Sequence, residues 1–157
     1  LPWIGAGLGA GIGGLLADRM ATKIGYRWGY RLVPIISLPL AGLLLLLTVS
    51  VSAPYAAVLA LMATFFMIEL NEGPFWAATM RVARSDTGAA TGVLNTGGNF
   101  AGMVSAPVIG ALSGAGNWNA TFVIGAAFAF VGAACWLAID PDRRVVTDRR
   151  AASAAAA

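Results

Sequence analysis

Five long apolar stretches separated by short polar or charged breaks make up most of this chain, over residues 1–17, 32–52, 54–80, 87–114 and 118–139. Each has roughly the length a helix needs to cross a bilayer core, about 17 to 25 residues. In lipid, the backbone of each stretch must satisfy its own hydrogen bonds, so helices are expected. The fold class is therefore all-α, a polytopic membrane bundle of five transmembrane helices. Composition agrees, with 59% hydrophobic and 11% charged residues against about 45–50% and about 25% in an average soluble domain. The alternative, a soluble all-helical protein with a large core, is disfavoured by the second and fifth stretches, which offer no polar face.

Charge placement orients the bundle. The first break carries Arg19, Lys23, Arg27 and Arg31 against Asp18; the third carries Arg81 and Arg84 against Asp86; the chain end carries Arg143, Arg144, Arg149 and Arg150. The second and fourth breaks carry no charge. Every cation then falls on one side, and the positive-inside rule puts residues 18–31, 81–86 and the tail in the cytoplasm of a protein of the inner (plasma) membrane. The net charge of +3 is small, and no nucleic-acid partner is expected. With no histidine and a single cysteine, Cys135, neither a disulfide nor a Cys/His metal cluster can form, and no cofactor or metal is expected. The opening Leu1 and the lack of a charged leader read as an internal start, and residues 140–157, charged and then alanine-rich, as a flexible cytoplasmic tail.

Two of the seven acids lie deep in the third stretch, in Met67-Ile-Glu69-Leu-Asn71-Glu72-Gly-Pro74-Phe-Trp76. A carboxylate at mid-membrane is unfavourable by a few kcal/mol, so it faces the bundle interior or water. Counted from Arg81, Glu72 and Glu69 lie about 14 and 18 Å deep at about 1.5 Å per residue. Counted from Asp86, Asn95 and Asn99 of the fourth stretch lie about 14 and 20 Å deep. All four are expected in one slab. Glu69, Glu72 and Trp76 share one helix face, Asn95 and Asn99 share another, and Asn71 points elsewhere. Pro74 removes a backbone donor, frees the Leu70 carbonyl and predicts a kink or unwound turn at Gly73-Pro74. Desolvation and mutual repulsion keep two adjacent carboxylates from both being charged, which leaves one able to carry a proton.

Gly9-Ala-Gly11-Ile-Gly13-Gly14 fits the dinucleotide pattern G-x-G-x-x-G, but no strand precedes it and Asp18 is too close to serve the ribose. The same glycines at i and i+4, Gly5-Gly9-Gly13 and Gly7-Gly11, instead give a face on which another helix can lie close.

Gly14-Leu-Leu-Ala-Asp18-Arg19 with Lys23, Gly25 and Arg27 resembles the loop signature of the major facilitator superfamily, with Ala21 where a glycine is usual. Thr87-Gly88, Gly92-Val-Leu-Asn95-Thr-Gly-Gly98-Asn99-Phe-Ala-Gly102 and Pro107-Val-Ile-Gly110 look like the eleventh helix of its anion:cation symporter branch, which includes hexuronate, galactonate and sialic-acid carriers. Glu72-Gly-Pro-Phe-Trp76-Ala looks like the tenth. The resemblance implies that the five stretches are helices 8 to 12 of a twelve-helix transporter, so that residues 1–139 are part of its C-terminal six-helix half. It further implies that Gly14, Asp18, Arg19 and Arg27 form a conformational gating loop, with Asp18 reaching a neighbouring helix N-terminus such as that of the fourth stretch. Glu69, Glu72, Trp76, Asn95 and Asn99 would lie on the substrate pathway, while the second and fifth stretches face lipid.

The function expected is secondary active transport of small organic anions, with sugar acids as the class suggested, coupled to protons or sodium by alternating access. Its partners are the anion, the coupling ion, the bilayer and an N-terminal half of the same transporter, without which these 157 residues are expected to be inactive. The alternatives are a multidrug or other-substrate efflux member of the same superfamily, an intramembrane enzyme using Glu69 and Glu72, and a structural membrane subunit. The enzyme lacks a nucleophile or metal to work with, so no catalytic residue is expected.

Overall fold

The structure, a computed structural model, describes residues 1–143. Six α-helices follow one another among them: α1 (Pro2–Ile24), α2 (Tyr26–Ser50), α3 (Pro54–Glu69), α4 (Glu72–Ala83), α5 (Thr87–Gly114) and α6 (Trp118–Ala138), with a 3-10 turn at Arg84–Asp86. The all-helical architecture expected from the sequence is what is found. Tyr26–Ser50, Pro54–Gly114 and Trp118–Ala138 are long and apolar enough to cross a membrane.

Residues 18–31, expected as a loop, are helical apart from Gly25. α1 runs on to Ile24 and α2 starts at Tyr26, since a helix does not stop where its side chains become charged. Hydropathy marks where the bilayer ends and leaves the helix end open. The reversal is made at Gly25, whose φ of +87° suits glycine. Gly29 then lies so close to α1 that a Cβ would fall 2.3 Å from the Ala21 Cα.

α1 and α3 pack backbone to backbone. A Cβ on Gly5 would lie 2.4 Å from the Met62 carbonyl oxygen, one on Gly9 2.4 Å from that of Phe66, and one on Gly13 2.2 Å from that of Leu70. Three glycines at i, i+4 and i+8 thus seat three carbonyls at the same spacing, close enough for Cα–H···O contacts. The face expected at Gly5-Gly9-Gly13 is used; Gly7 and Gly11 meet nothing within 4 Å among the described residues.

The third stretch breaks as expected, though at Leu70–Asn71 rather than at Gly73-Pro74. The Leu70 N–H still bonds the Phe66 carbonyl, but the Asn71 N–H bonds Ile68, which tightens the turn. The proline ring clashes with the carbonyl four residues earlier, so the disturbance falls at Leu70. That carbonyl faces Gly13, and α4 restarts against α1 at a Gly14–Gly73 contact in which a Gly73 Cβ would lie 2.4 Å from the Gly14 Cα.

The second and fifth stretches, expected to face lipid, each also have a side packed against other helices. α2 packs against α1, α3, α4 and α6, burying Tyr30, Val33, Ser37, Leu38 and Ala41 along one side. A helix that is apolar all round gives no sign of which side is buried. The contact with α6 runs through small residues: a Cβ on Gly42 would meet Phe130 at 3.1 Å and the Ala126 carbonyl at 3.2 Å.

α5 differs from the rest. Among the described residues it packs only on α4, α6 and the 3-10 turn, and none of its 28 residues is buried by them.

Candidate functional site

The break between α3 and α4 positions the acids. Glu69 is the last residue of α3 and Glu72 the first of α4, so the two carboxylates approach across the break and repel one another. The Trp76 indole N–H donates to Glu72 Oε1 at 2.5 Å, one turn further along α4, and Phe75 packs edge-on against the Trp76 ring at 5.2 Å. As the first residue of α4, the Glu72 carboxylate also meets the positive end of that helix. The expected common face of Glu72 and Trp76 is therefore a direct hydrogen bond.

Glu69 is half-buried. Its Cβ lies 3.1 Å from where a Gly9 Cβ would stand, so the glycine face of α1 makes room for it. Glu69 and Glu72 thus differ in kind. One is engaged by an indole; the other is wedged between helices beside its neighbour's charge. Asn71 lies between them with its Oδ1 buried and without a hydrogen-bond partner among the described residues.

Asn95 and Asn99 are not brought to this pair. Both are exposed on α5, which does not touch α3. The lower part of α5 instead borders an apolar groove of about 620 Å³ with α4 and α6, lined by Phe75, Ala78, Val82, Val93, Leu94 and Trp136 among others. In α4 and α5 the hydroxyls of Thr79 and Thr91 bond to their own helix, to the carbonyls of Phe75 and Thr87, so they need no partner elsewhere.

At the charged end of the bundle, Gly14 touches Gly73 of α4, which ties the expected gating segment to the broken helix. Asp18 does not meet α5, since α1 and α5 share no contact; its charge lies near the Tyr30 hydroxyl on α2 instead. Arg19 is exposed, and Arg27 faces Asp140 at 3.9 Å.

The sequence reading missed a second cluster here. The Arg81 guanidinium sits 3.5 Å over the Tyr26 ring and 3.2 Å from Asp142. Arg31, itself buried, donates to the Ile139 carbonyl at the end of α6. The tail expected from residue 140 therefore begins as packed chain, with Pro141 fully buried; residues 144–157 of that tail lie outside the described residues. The two acids Asp140 and Asp142 flanking Pro141 directly after the apolar run were the available signal.

Apolar helices packed through glycines, one of them broken beside a carboxylate pair, have the build of a multi-pass membrane transporter. Residues 2–156 match the Major Facilitator Superfamily, and the chain belongs to that family. That family is one of multi-pass membrane transporters, each with a transported substrate. The chain is similar to a protein of Cupriavidus necator named a probable sulfoacetate transporter, with 38% identity over 86 residues that cover 54% of this chain and 20% of the relative. The match thus spans about a fifth of that relative's length. No solved structure matches.

Proposed function

We propose that this chain supplies helices 8 to 12 of a secondary active transporter of the anion:cation symporter branch, which moves a small organic anion across the inner membrane, coupled to protons, by alternating access. All five stretches then span, the charged breaks face the cytoplasm, and an N-terminal half completes the pathway. The observation that carries the reading is the carboxylate pair at the α3–α4 break. Glu72 is already occupied by Trp76, whereas Glu69 is half-buried with no hydrogen-bond partner among the described residues. Glu69 is accordingly the proton carrier, and Glu72 with Trp76 is the element that reports its charge to the pathway.

The substrate class is supported by the relative named for sulfoacetate, which bears a sulfonate and a carboxylate. A small doubly charged anion of this type, or a sugar acid, is the expected cargo. Asn95 and Asn99 join the site if α5 turns its exposed face to the pathway, and Gly14, Asp18, Arg19 and Arg27 gate its cytoplasmic end.

The test is uptake by the full-length transporter in proteoliposomes. An imposed inside-alkaline gradient should drive accumulation of sulfoacetate or a hexuronate without sodium. Accumulation driven by sodium alone, or export of a cationic drug with no anion movement, would overturn the proposal.

A further inference from the structure

We infer that the four residues following α6, 139–142, act as a strap that sets the angle of α4 and so makes Arg81 and Asp142 positioning residues for the carboxylate site. α4 is a half-helix of 12 residues. One end is hinged at the Leu70–Asn71 break. Arg81, nine residues past Glu72 and so about 14 Å along the axis, lies near the other end.

The strap is built to hold that far end. Arg31 takes the carbonyl of Ile139, a helix-terminal acceptor with no partner of its own in the helix. Pro141 is fully buried. The Asp140 carboxylate accepts from the Asp142 N–H at 3.1 Å, and the Asp140 carbonyl accepts from Arg143 N–H at 3.1 Å, which fixes the turn. Asp142 is thereby presented to Arg81, whose Nε and Nη2 donate to its Oδ1 at 3.4 and 3.2 Å, while the Tyr26 ring of α2 covers the other side of the guanidinium.

Arg81 is thus gripped from α2 and from the strap at once. Glu69 belongs to α3 and the Glu72–Trp76 pair to α4, so the angle between these helices decides how the two carboxylates face each other. Releasing Arg81 frees α4 to pivot at the break. The link to transport rests on the proposed role of Glu69 and Glu72; the pivot itself does not.

Two measurements on the full-length transporter separate these. Spin labels at Tyr55 on α3 and Met80 on α4, both exposed, report the inter-helix geometry whatever the substrate. Asp142→Asn and Arg81→Gln should each broaden or shift the distance distribution, the double variant no more than either single one, and Arg81→Lys should restore most of it. In transport, each single variant should raise KM about three- to fivefold, the size that a half-exposed ion pair supports, with the maximal rate held. An unchanged distance distribution overturns the strap. A changed distribution with unchanged KM keeps the strap and removes the assignment of the site to this break. Additive effects of the two variants also overturn it, since one latch cannot be released twice.

Discussion

α1 and α5 are both rich in glycine, and the structure uses the two sets differently. In α1, Gly5, Gly9 and Gly13 are in register with three carbonyls of α3, and any side chain would strike backbone. In α5, Gly88, Gly92, Gly97, Gly98 and Gly102 have nothing among the described residues within 4 Å of an added Cβ. The contrast teaches that glycine content marks helices able to approach closely, while only a partner backbone turns that ability into a requirement. α1 has its partner within the described residues. α5 shows an unburied surface along its length.

Breaking the α1–α3 contact should produce the largest effect. Gly13→Leu would drive a branched side chain into the Leu70 backbone and should lower detergent-solubilised stability by upwards of about 3 kcal/mol, the top of the range for overpacking, seen as a collapse of the folded fraction on size-exclusion chromatography. Gly9→Ala is milder at about 1–3 kcal/mol, and a thermal melt should show it. The same exchange at Gly92 sharpens the comparison: it should change stability by no more than about 1 kcal/mol, in either direction. Equal losses at Gly9 and Gly92 would mean that α5 is packed as tightly as α1 in the whole transporter. Comparably small in stability is Trp76→Phe, which removes one hydrogen bond to Glu72, about 1 kcal/mol; its effect should appear as a slower maximal rate with the fold intact.

Much of the architecture could be read from residues. The fourth stretch and α5 share the bounds 87–114 because Asp86 at one end and Gly114 at the other bracket an unbroken apolar run. The break in the third stretch was legible from Pro74, and the close face of α1 from Gly5, Gly9 and Gly13. Less legible was whatever depends on which helix lies opposite. Nothing local to α2 singles out the side carrying Ser37 and Ala41 for burial, and nothing local to Arg81 announces Tyr26, which is 55 residues earlier in sequence. Helix ends were misplaced at residues 18–31 because charge ends a hydrophobic stretch without ending a hydrogen-bond ladder. In the candidate site, spacing alone puts Glu72 and Trp76 on one face, whereas their hydrogen bond and the difference between Glu69 and Glu72 needed the break and the glycine face of α1.

The central claim is that Glu69 carries the coupling proton. It is tested most directly by comparing two modes of transport in proteoliposomes bearing Glu69→Gln. Counterflow exchange, which needs the pathway but no net proton movement, should persist, and accumulation driven by a pH gradient should be lost. Undiminished gradient-driven accumulation by Glu69→Gln, at the level of the unsubstituted transporter, would contradict the account.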